Sequence, residues 1–396
     1  MAATATVQLH ILIVGAGIAG LTAAVALRKA GHAVTVYEKS GFLRELGAGM
    51  ICTTNGTKVL EYIADDPPQH RFCDGTTAQV HHEIDAELIA ARFGAPMLCI
   101  YRPDHHATLL AMATGESYPN TPVETHLNSP VAGVDPSTAT ITLSSGATAR
   151  GDLVLVADGI HSRLRALLFP DLPPITNSGA CLRFRVPTAA LTNDAELAAL
   201  LVAKRHMADF YDAGGYRLVW YEVRGDEIQN FVFYGPDLGD AVVDGVPHVE
   251  KAREMLMKAS AAYEPRLRRV LEKAESLTPY PLLDFPPLPT FHLGRALLLG
   301  DAAHTFHPHS AQGITQATED AGALAVLLKN VPAKEELPAR LALYEKVRGN
   351  RCRALHVLAR TPVGREAEAM QVGGMREWLE GTVVDGPVGR GVFVYG

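Results

Sequence analysis

The feature that most constrains this chain lies near its start. An apolar, β-branched run from His10 to Val14 is followed at once by Gly15-Ala16-Gly17-Ile18-Ala19-Gly20 and then by a helical pattern through Leu27, Arg28 and Lys29. Gly31 ends that helix, Ala33 to Tyr37 reads as a second strand, and Glu38 closes it, so the first 40 residues have the period and punctuation of a βαβ unit. In such a unit the first glycine permits the tight turn, the second lets a pyrophosphate approach the backbone at the helix N-terminus, and the third lets helix and sheet pack closely. Glu38 lies 23 residues after Gly15, where an acidic side chain accepts hydrogen bonds from an adenosine ribose. A dinucleotide site is therefore expected, and the fingerprint leaves FAD and NAD undistinguished.

The rest of the chain changes character twice. From Ser178 to about Tyr234 come short β-rich runs, "ACLRFRV", "YRLVWYEV" and "IQNFVFY", separated by turn signals, which reads as an antiparallel sheet. After Val249 the pattern returns to helix, then to an apolar strand ending at Gly300-Asp301, and then to a long charged-amphipathic helix around Pro338 to Ala359. The fold class expected is α/β: a Rossmann-like domain with an inserted antiparallel-sheet domain and C-terminal helices. The boundaries read as 1–177 for the first part of the nucleotide-binding domain, 178–280 for the inserted substrate domain, and 281–396 for completion of the first domain.

Charge and cysteine usage exclude several function classes. A net charge of −7 without a block of lysine or arginine argues against nucleic acid, because phosphate neutralisation needs clustered positive charge. Five scattered cysteines, odd in number and without a C-x-x-C pair, fit neither a disulfide framework nor a zinc site, so no metal is expected. The N-terminal apolar run lacks a basic lead-in and no stretch reaches the length of a membrane span, so a cytoplasmic protein acting on a small molecule is expected, as a monomer or homodimer.

Two further motifs carry chemistry. "GDLVLVADGIHSRLR", Gly151 to Arg165, reads as a strand, a turn at Asp158-Gly159 and a short helix containing Ser162 and Arg165; taken alone it is an ordinary Asp-Gly turn. "RALLLGDAAHTFHPHSAQGITQATEDAG", Arg295 to Gly322, brings Asp301 out at the end of a buried strand, where open α/β sheets place ligand contacts. Pro308 would fix the loop, and a helix beginning near Gln312-Gly313 would aim its free N–H groups and positive dipole end at whatever lies in front. Reduced flavin carries negative charge around N1 and the C2 carbonyl, which such a helix end would stabilise.

Together the three motifs resemble the single-component, FAD-dependent aromatic monooxygenases of the p-hydroxybenzoate and salicylate hydroxylase type, over roughly residues 9–360. Finer features, "ELGAGM" at Glu45 to Met50, "YRPDHHATLL" at Tyr101 to Leu110, "SGACLRFRVP" at Ser178 to Pro187 and "YEKVRGNRC" at Tyr344 to Cys352, point to the salicylate hydroxylase-like branch. The resemblance implies FAD as cofactor and NADPH or NADH as co-substrate. It places Gly15, Gly17, Gly20, Glu38, Lys39, Gly49, Arg102, Asp158, Gly300, Asp301, Pro308, Gln312, Gly313 and Ile314 at the flavin nucleotide, with Asp301 on the ribityl chain, Arg102 beside ribityl and phosphates, and Asp158 near the pyrophosphate. Three positions depart from the common pattern: Ala311 replaces a glycine, Thr315 an asparagine and Phe291 a tryptophan.

The implied reaction is reduction of FAD by NAD(P)H, capture of O2 as a flavin C4a-hydroperoxide, and transfer of one oxygen to a small aromatic substrate. The flavin does the hard chemistry, and the protein positions the ring, excludes water and activates a phenol. Candidate catalytic residues are His307 and His309, whose side-chain type titrates near neutrality, Arg183, which could pair with a substrate carboxylate, and Tyr211 as a phenolic partner. His304 reads as structural or flavin-bonding. Arg183 and Arg185 share one strand face, opposite Phe184, and a solvated sheet face is the plain alternative. Competing functions keep FAD but change the reaction to epoxidation or oxidative rearrangement, or dispense with hydroxylation in a redox sensor. A plain NAD-dependent dehydrogenase would leave the Gly300-Asp301 motif unexplained.

Overall fold

A computed structural model describes residues 6–41, 48–60, 70–74, 80–84, 86–118, 120–204, 207–243, 245–361 and 366–379. The Glu45 to Gly47 part of "ELGAGM" and the extreme C-terminus lie outside these residues. The chain divides into two units, one made of Met1–Glu45, His105–Pro174 and Phe285–Gly396, the other of Leu46–Asp104 and Ile175–Asp284. The sequence reading ran the first domain unbroken through 1–177. Residues 46–104 instead group with the sheet unit, because their strands pair there, a long-range choice that local pattern does not record.

In the nucleotide-binding unit, the strand His10–Val14 is central to a six-stranded sheet. Its neighbours are Ala33–Tyr37 on one side and Leu153–Val156 on the other, both parallel to it. Ala296–Leu298 pairs parallel to Leu153–Val156, so strands from three distant parts of the chain run side by side. They are almost continuously apolar and buried, as parallel strands covered on both faces must be. The strand order reverses on either side of His10–Val14, which makes its C-terminal end a topological switch point, the place where open α/β sheets bind ligands.

One buried side chain organises the loop behind this sheet. Arg28, on the last turn of helix Ile18–Lys29, donates to the carbonyls of Met112, Ala113, Gly115, Tyr118 and Asn120 at 2.7–2.9 Å. Its planar fork gathers five carbonyls of this loop, the kind of buried polar group that is costly to leave unpaired.

The sheet unit holds seven strands in the order Glu275–Asp284, Thr176–Pro187, Ile228–Tyr234, Arg217–Val223, Met207–Tyr211, His70–Asp74 and Val80–Ile84. All pairs are antiparallel except Met207–Tyr211 with His70–Asp74. The sheet read from sequence between Ser178 and Tyr234 is thus extended at both edges by strands from elsewhere.

Strand alternation separates its two faces. One face carries Phe184, Trp220, Phe231 and Phe233, packed with Leu197 and Leu200 of helix Ala195–Lys204, Leu256 of Val249–Ala259, and Leu267 and Leu271 of Pro265–Glu272. Phe184 stacks on Phe231 at 4.9 Å, and the Trp220 Nε1–H donates to Gln229 Oε1 at 2.7 Å, so the one polar atom of the indole is satisfied. The other face bears Arg183, Arg185, Tyr221, Asn230 and Tyr234. Among the described residues no helix is long and apolar enough to cross a membrane.

Candidate active site

Parallel pairing carries the three separated motifs to one edge of the nucleotide-binding sheet. Gly15 follows Val14, Ala157-Asp158 follows Val156, and Leu299-Gly300-Asp301 follows Leu298. The bonds continue past the strand ends: Ala157 N–H donates to Val14 O at 2.8 Å and Leu299 N–H to Val156 O at 2.9 Å.

The glycines are explained by space as well as torsion. Gly15 has φ +105°, and a Cβ there would run into the Ala157 carbonyl; a Cβ at Gly20 would strike the carbonyl of Gly15. Gly300 has φ +54°, and its Cβ would stand 2.7 Å from that of Ala19, so the Gly300–Ala302 turn is seated on the first helix. Gly17 caps that helix without any side-chain hydrogen bond. Glu38 accepts from Ala16 N–H and Ser40 N–H, both at 2.8 Å, which holds its carboxylate over the glycine turn, while Lys39 is exposed beside it. From the other side His106 Nε2 lies 2.8 Å from Ala16 O.

Asp158 and Arg165 connect the second motif to the third. Ser162 caps the helix Arg163–Leu168, accepting from Arg165 N–H at 2.9 Å. The Arg165 guanidinium donates to Ile160 O at 2.7 Å and Ala302 O at 3.2 Å, and lies 4.1 Å from the centre of the Phe285 ring. Burial raises the pKa of Asp158, against hydrogen bonding from Ser162 and the charge of Arg165, and its buried Oδ1 has no hydrogen-bond partner.

Beyond Asp301, which is exposed, the chain passes through His304, His307, Pro308 and His309 to helix Gln312–Leu328. Its N-cap is Ala311, left-handed at φ +52°, with no side chain capping the helix. The first amides of a helix have no intrahelical acceptor. A Cβ on Gly313 would meet nothing within 4 Å, so the backbone at Gly313 faces open space. Pro308 opens a short 3₁₀ turn, Pro308–Ser310, that leads into this left-handed residue. Ala311, where the sequence departs from glycine, thus holds a positive φ that L side chains rarely adopt.

These features fit an extended dinucleotide. The glycine cradle has no room for side chains, the Asp158 carboxylate has an orphaned buried oxygen, and an uncapped helix N-terminus faces open space. Each is a place where a ligand supplies what the chain omits.

Two of the residues the sequence placed at the cofactor, Gly49 and Arg102, fall in the sheet unit. The Gly49 N–H donates to Asn230 Oδ1 at 2.7 Å, and a Cβ on Gly49 would press on Tyr221 and Asn230, so packing requires a glycine there. Arg102 N–H bonds Ala48 O at 3.0 Å, across the ladder formed by Gly49–Cys52 and Leu98–Tyr101.

The four candidate catalytic side chains also fall into two groups. His307 and His309 stand in the nucleotide-binding unit with ring centres 6.0 Å apart, the second of them exposed. Arg183 and Tyr211 belong to the sheet unit and share a face three strands apart. Tyr211 lies beside a buried ion pair, Arg217 with Asp209, whose two bonds measure 3.0 and 3.2 Å; burial, then the Asp209 charge, raises its pKa.

Arg183 differs. Its guanidinium stacks 4.3 Å from the Tyr280 ring centre, its Nε is sealed without a hydrogen-bond partner, and among the described residues no carboxylate pairs with it. Burial opposes its charge, and the groups that favour it are Cys181, Tyr234, Tyr280 and Tyr221. Arg185, its neighbour on the same face, bonds Tyr101 Oη at 3.0 Å.

Asp320 and Arg348 lie within the sequence motifs but have no role that local pattern reveals. They form the densest charged cluster behind the Gly300–Ala302 turn. Burial alone would lower the His304 pKa, but Asp320, 2.7 Å from His304 Nε2, raises it well above its ordinary value. Burial likewise opposes ionisation of Asp320, yet His304 and Arg348 hold it well below the usual carboxylate range. His304, Asp320 and Cys352 place potential ligand atoms within 4.8 Å of one another, and the Arg348 guanidinium among them already supplies a cation. The signal in sequence was the spacing of Gln316, Glu319 and Asp320, which puts all three within one helical turn.

Two other histidines act in the opposite direction with pH. Burial, and then His106, lowers the His105 pKa from 6.5 to about 4. His32, buried between Leu9 N–H and Leu328 O, is also lowered by burial. Both are neutral in the fold, whereas the unfolded chain takes up their protons near pH 6.5. Their contribution is complete above that pH and is lost as pH falls below it, for His105 toward about 4. Equilibrium urea unfolding at pH 7 and pH 5 should show the loss, and His105→Gln should remove about 2 kcal/mol of the difference. An unchanged difference would mean that His105 is not held neutral.

Comparison with known proteins agrees with this geometry. Residues 13–53 match a family model described as an NAD(P)-binding Rossmann-like domain, and residues 287–359 match one described as an FAD binding domain. An FAD-dependent monooxygenase of Diaporthe leptostromiformis is 32% identical over 341 residues, 82% of this chain and 85% of its own length. Hispidin-3-hydroxylase of Neonothopanus nambi is 30% identical over 366 residues, 87% of this chain and 86% of that one. The structure of a salicylate hydroxylase substrate complex shares the fold with a TM-score of 0.71 at 23% identity, over 94% of this chain and 95% of that one. A chain that aligns with such relatives over most of its length, and sets its three motifs on one sheet edge, belongs to the FAD-dependent monooxygenases.

Proposed function

We propose that this enzyme hydroxylates a small aromatic substrate bearing an anionic group, a carboxylate or an acidic phenol, at the expense of NADH or NADPH and O2. The observation that carries the substrate class is Arg183, a cation in the sheet unit beside several tyrosines, with a sealed Nε that lacks a partner and no carboxylate to balance it among the described residues. A half-buried charge with a sealed Nε calls for a counter-ion, and a planar guanidinium suits a carboxylate. The tyrosines around it offer apolar ring faces and phenolic hydroxyls to an aromatic ligand.

The balanced reaction takes the substrate, O2, NAD(P)H and a proton to the hydroxylated product, NAD(P)⁺ and water. FAD, when bound, supplies the two-electron chemistry that lets one oxygen atom of O2 enter the ring. The chain's own residues would bind and orient. Gly15 and Gly17 would take the pyrophosphate on their backbone and Glu38 the adenosine ribose, with Lys39 alongside. Asp158 would lie near the pyrophosphate. Asp301 would accept from the ribityl hydroxyls, and the amides of Gln312, Gly313 and Ile314 would stabilise negative charge at the redox end. His307 and His309 are the residues proposed to move the phenolic proton.

The test is NADH and NADPH oxidation with oxygen uptake by the purified flavoprotein, across phenols, hydroxybenzoates, salicylates and their methyl esters. Oxidation should rise at least ~10-fold with an acidic member and yield a product heavier by one oxygen, and the ester should stimulate far less. Equal response to acid and ester would remove the carboxylate requirement. A product showing an epoxide or a rearranged skeleton would replace hydroxylation with the corresponding oxidation.

A further inference from the structure

The helical stretch from Leu337 to Arg360 contains a break that no role given above explains. Leu337–Tyr344 and Asn350–Arg360 would form one α-helix, but Glu345–Gly349 between them is a π-turn. Such a turn inserts a residue, rotating all that follows by about 100° about the axis, and where it persists it commonly serves a site.

Here it turns Arg348 onto the third motif and Glu345 onto the chain just ahead of it. Glu345 accepts from Phe291 N–H at 2.8 Å and from the Thr290 hydroxyl at 3.2 Å, just ahead of the strand that ends at Leu298. Arg348 donates to Asp320 Oδ1 at 2.9 Å, to Gln316 O at 3.1 Å and Oε1 at 2.7 Å, and to Glu319. Asp320 in turn accepts from Gly300 N–H at 3.1 Å and contacts His304 Nε2 at 2.7 Å.

One carboxylate therefore joins three elements: the turn bearing Asp301, the stretch that follows it, and the helix whose N-terminus is Gln312. Burying such charges is rarely stabilising compared with apolar side chains of similar shape, because desolvation offsets the attraction. What the cluster does provide is a single arrangement. The rigid guanidinium fork meets its acceptors in only one geometry.

We propose that Arg348 and Asp320 are positioning residues for the flavin site, the π-turn delivering Arg348 to Asp320, and Asp320 fixing the Gly300-Asp301 turn in register with helix Gln312–Leu328. The effect is transmitted through backbone: the Gly300 N–H sets where the Asp301 carboxylate stands, and Gln316 and Glu319 set where the helix N-terminus points.

This inference rests on the assignment of the Gly300-Asp301 turn to the flavin. Arg348→Lys keeps the charge but cannot span the same acceptors, and Asp320→Asn keeps the shape but loses the charge. Apoprotein of each would be titrated with FAD by flavin fluorescence, with the visible circular dichroism of the bound flavin and the melting temperature of the apoprotein recorded alongside. Each variant should bind FAD at least ~10-fold more weakly with an altered flavin spectrum. Arg28→Met, destabilised in the same unit but remote from this cluster, should melt earlier and keep FAD affinity within about threefold.

Should Arg348→Lys not fold, Asp320→Asn carries the test. Early melting of both variants with normal FAD affinity and spectrum would make the cluster merely structural and overturn the proposal. If Asp301→Ala weakens FAD and these two do not, the flavin assignment stands and the positioning role falls. If Asp301→Ala also binds FAD normally, the assignment fails and the positioning role with it.

Discussion

Asp301→Ala should weaken FAD binding by roughly 100-fold and leave the apoprotein folded. The carboxylate comes out at the end of Ala296–Leu298 and is exposed, so its removal opens no cavity in the core. The backbone of the turn stays in place through Ala303 N–H and His304 N–H, both bonded to Gly300 O at 2.8 Å. Under the proposed assignment, what would be lost is a pair of charge-assisted hydrogen bonds to ribityl hydroxyls, worth about 1.5 kcal/mol each, which together give the factor stated. Fluorescence titration of the apoprotein measures it, and the melting temperature of the apoprotein checks the fold. A variant that retains bound flavin through gel filtration and turns over at the normal rate would place the ribityl contact elsewhere.

Arg183→Met should lower kcat/KM for an acidic aromatic substrate by ~30-fold or more, the range expected when one partner of a buried charge pair is removed at about 2–5 kcal/mol. The fall should be much smaller for the methyl ester of the same compound. FAD content should be unchanged, since Arg183 lies in the sheet unit and the proposed nucleotide contacts Gly15, Glu38 and Asp301 lie in the other. Stability should hold or rise, because methionine fills similar space against Tyr280 without the desolvation cost of a charge lacking a carboxylate. Equal loss for acid and ester would show that Arg183 serves the sheet rather than the substrate. Arg185→Met is the companion experiment. Its side chain is already bonded to Tyr101, and a variant there should discriminate far less between acid and ester.

The two predictions differ in how far local sequence could reach them. Asp301 was legible because its surroundings are local: an apolar strand, a glycine with positive φ, and a helix start follow one another within about 15 residues. The same holds for Gly15 to Glu38, where the first helix and both strands occupy the residues that hydrophobic period and punctuation indicated. Arg183 was separable from Arg185 only in three dimensions. The two alternate identically along one strand, and it is Tyr101, 84 residues upstream, that bonds one and not the other.

By itself the sequence determined what the backbone does within each short stretch. Glycine spacing demanded the tight turn at Gly15, alternation separated Phe184 from Arg183, and the run into Gly300 demanded a strand that stops. These follow from torsional freedom and side-chain period, which act over a few residues. Only the tertiary structure decided which strands lie side by side. The parallel register that brings Val14, Val156 and Leu298 to one edge, the capture of residues 46–104 by the sheet unit, the five carbonyls gathered by Arg28 and the delivery of Arg348 to Asp320 are all long-range. Their selection comes from burial of apolar surface and from the cost of leaving buried polar groups unpaired, quantities that exist only once distant segments have met.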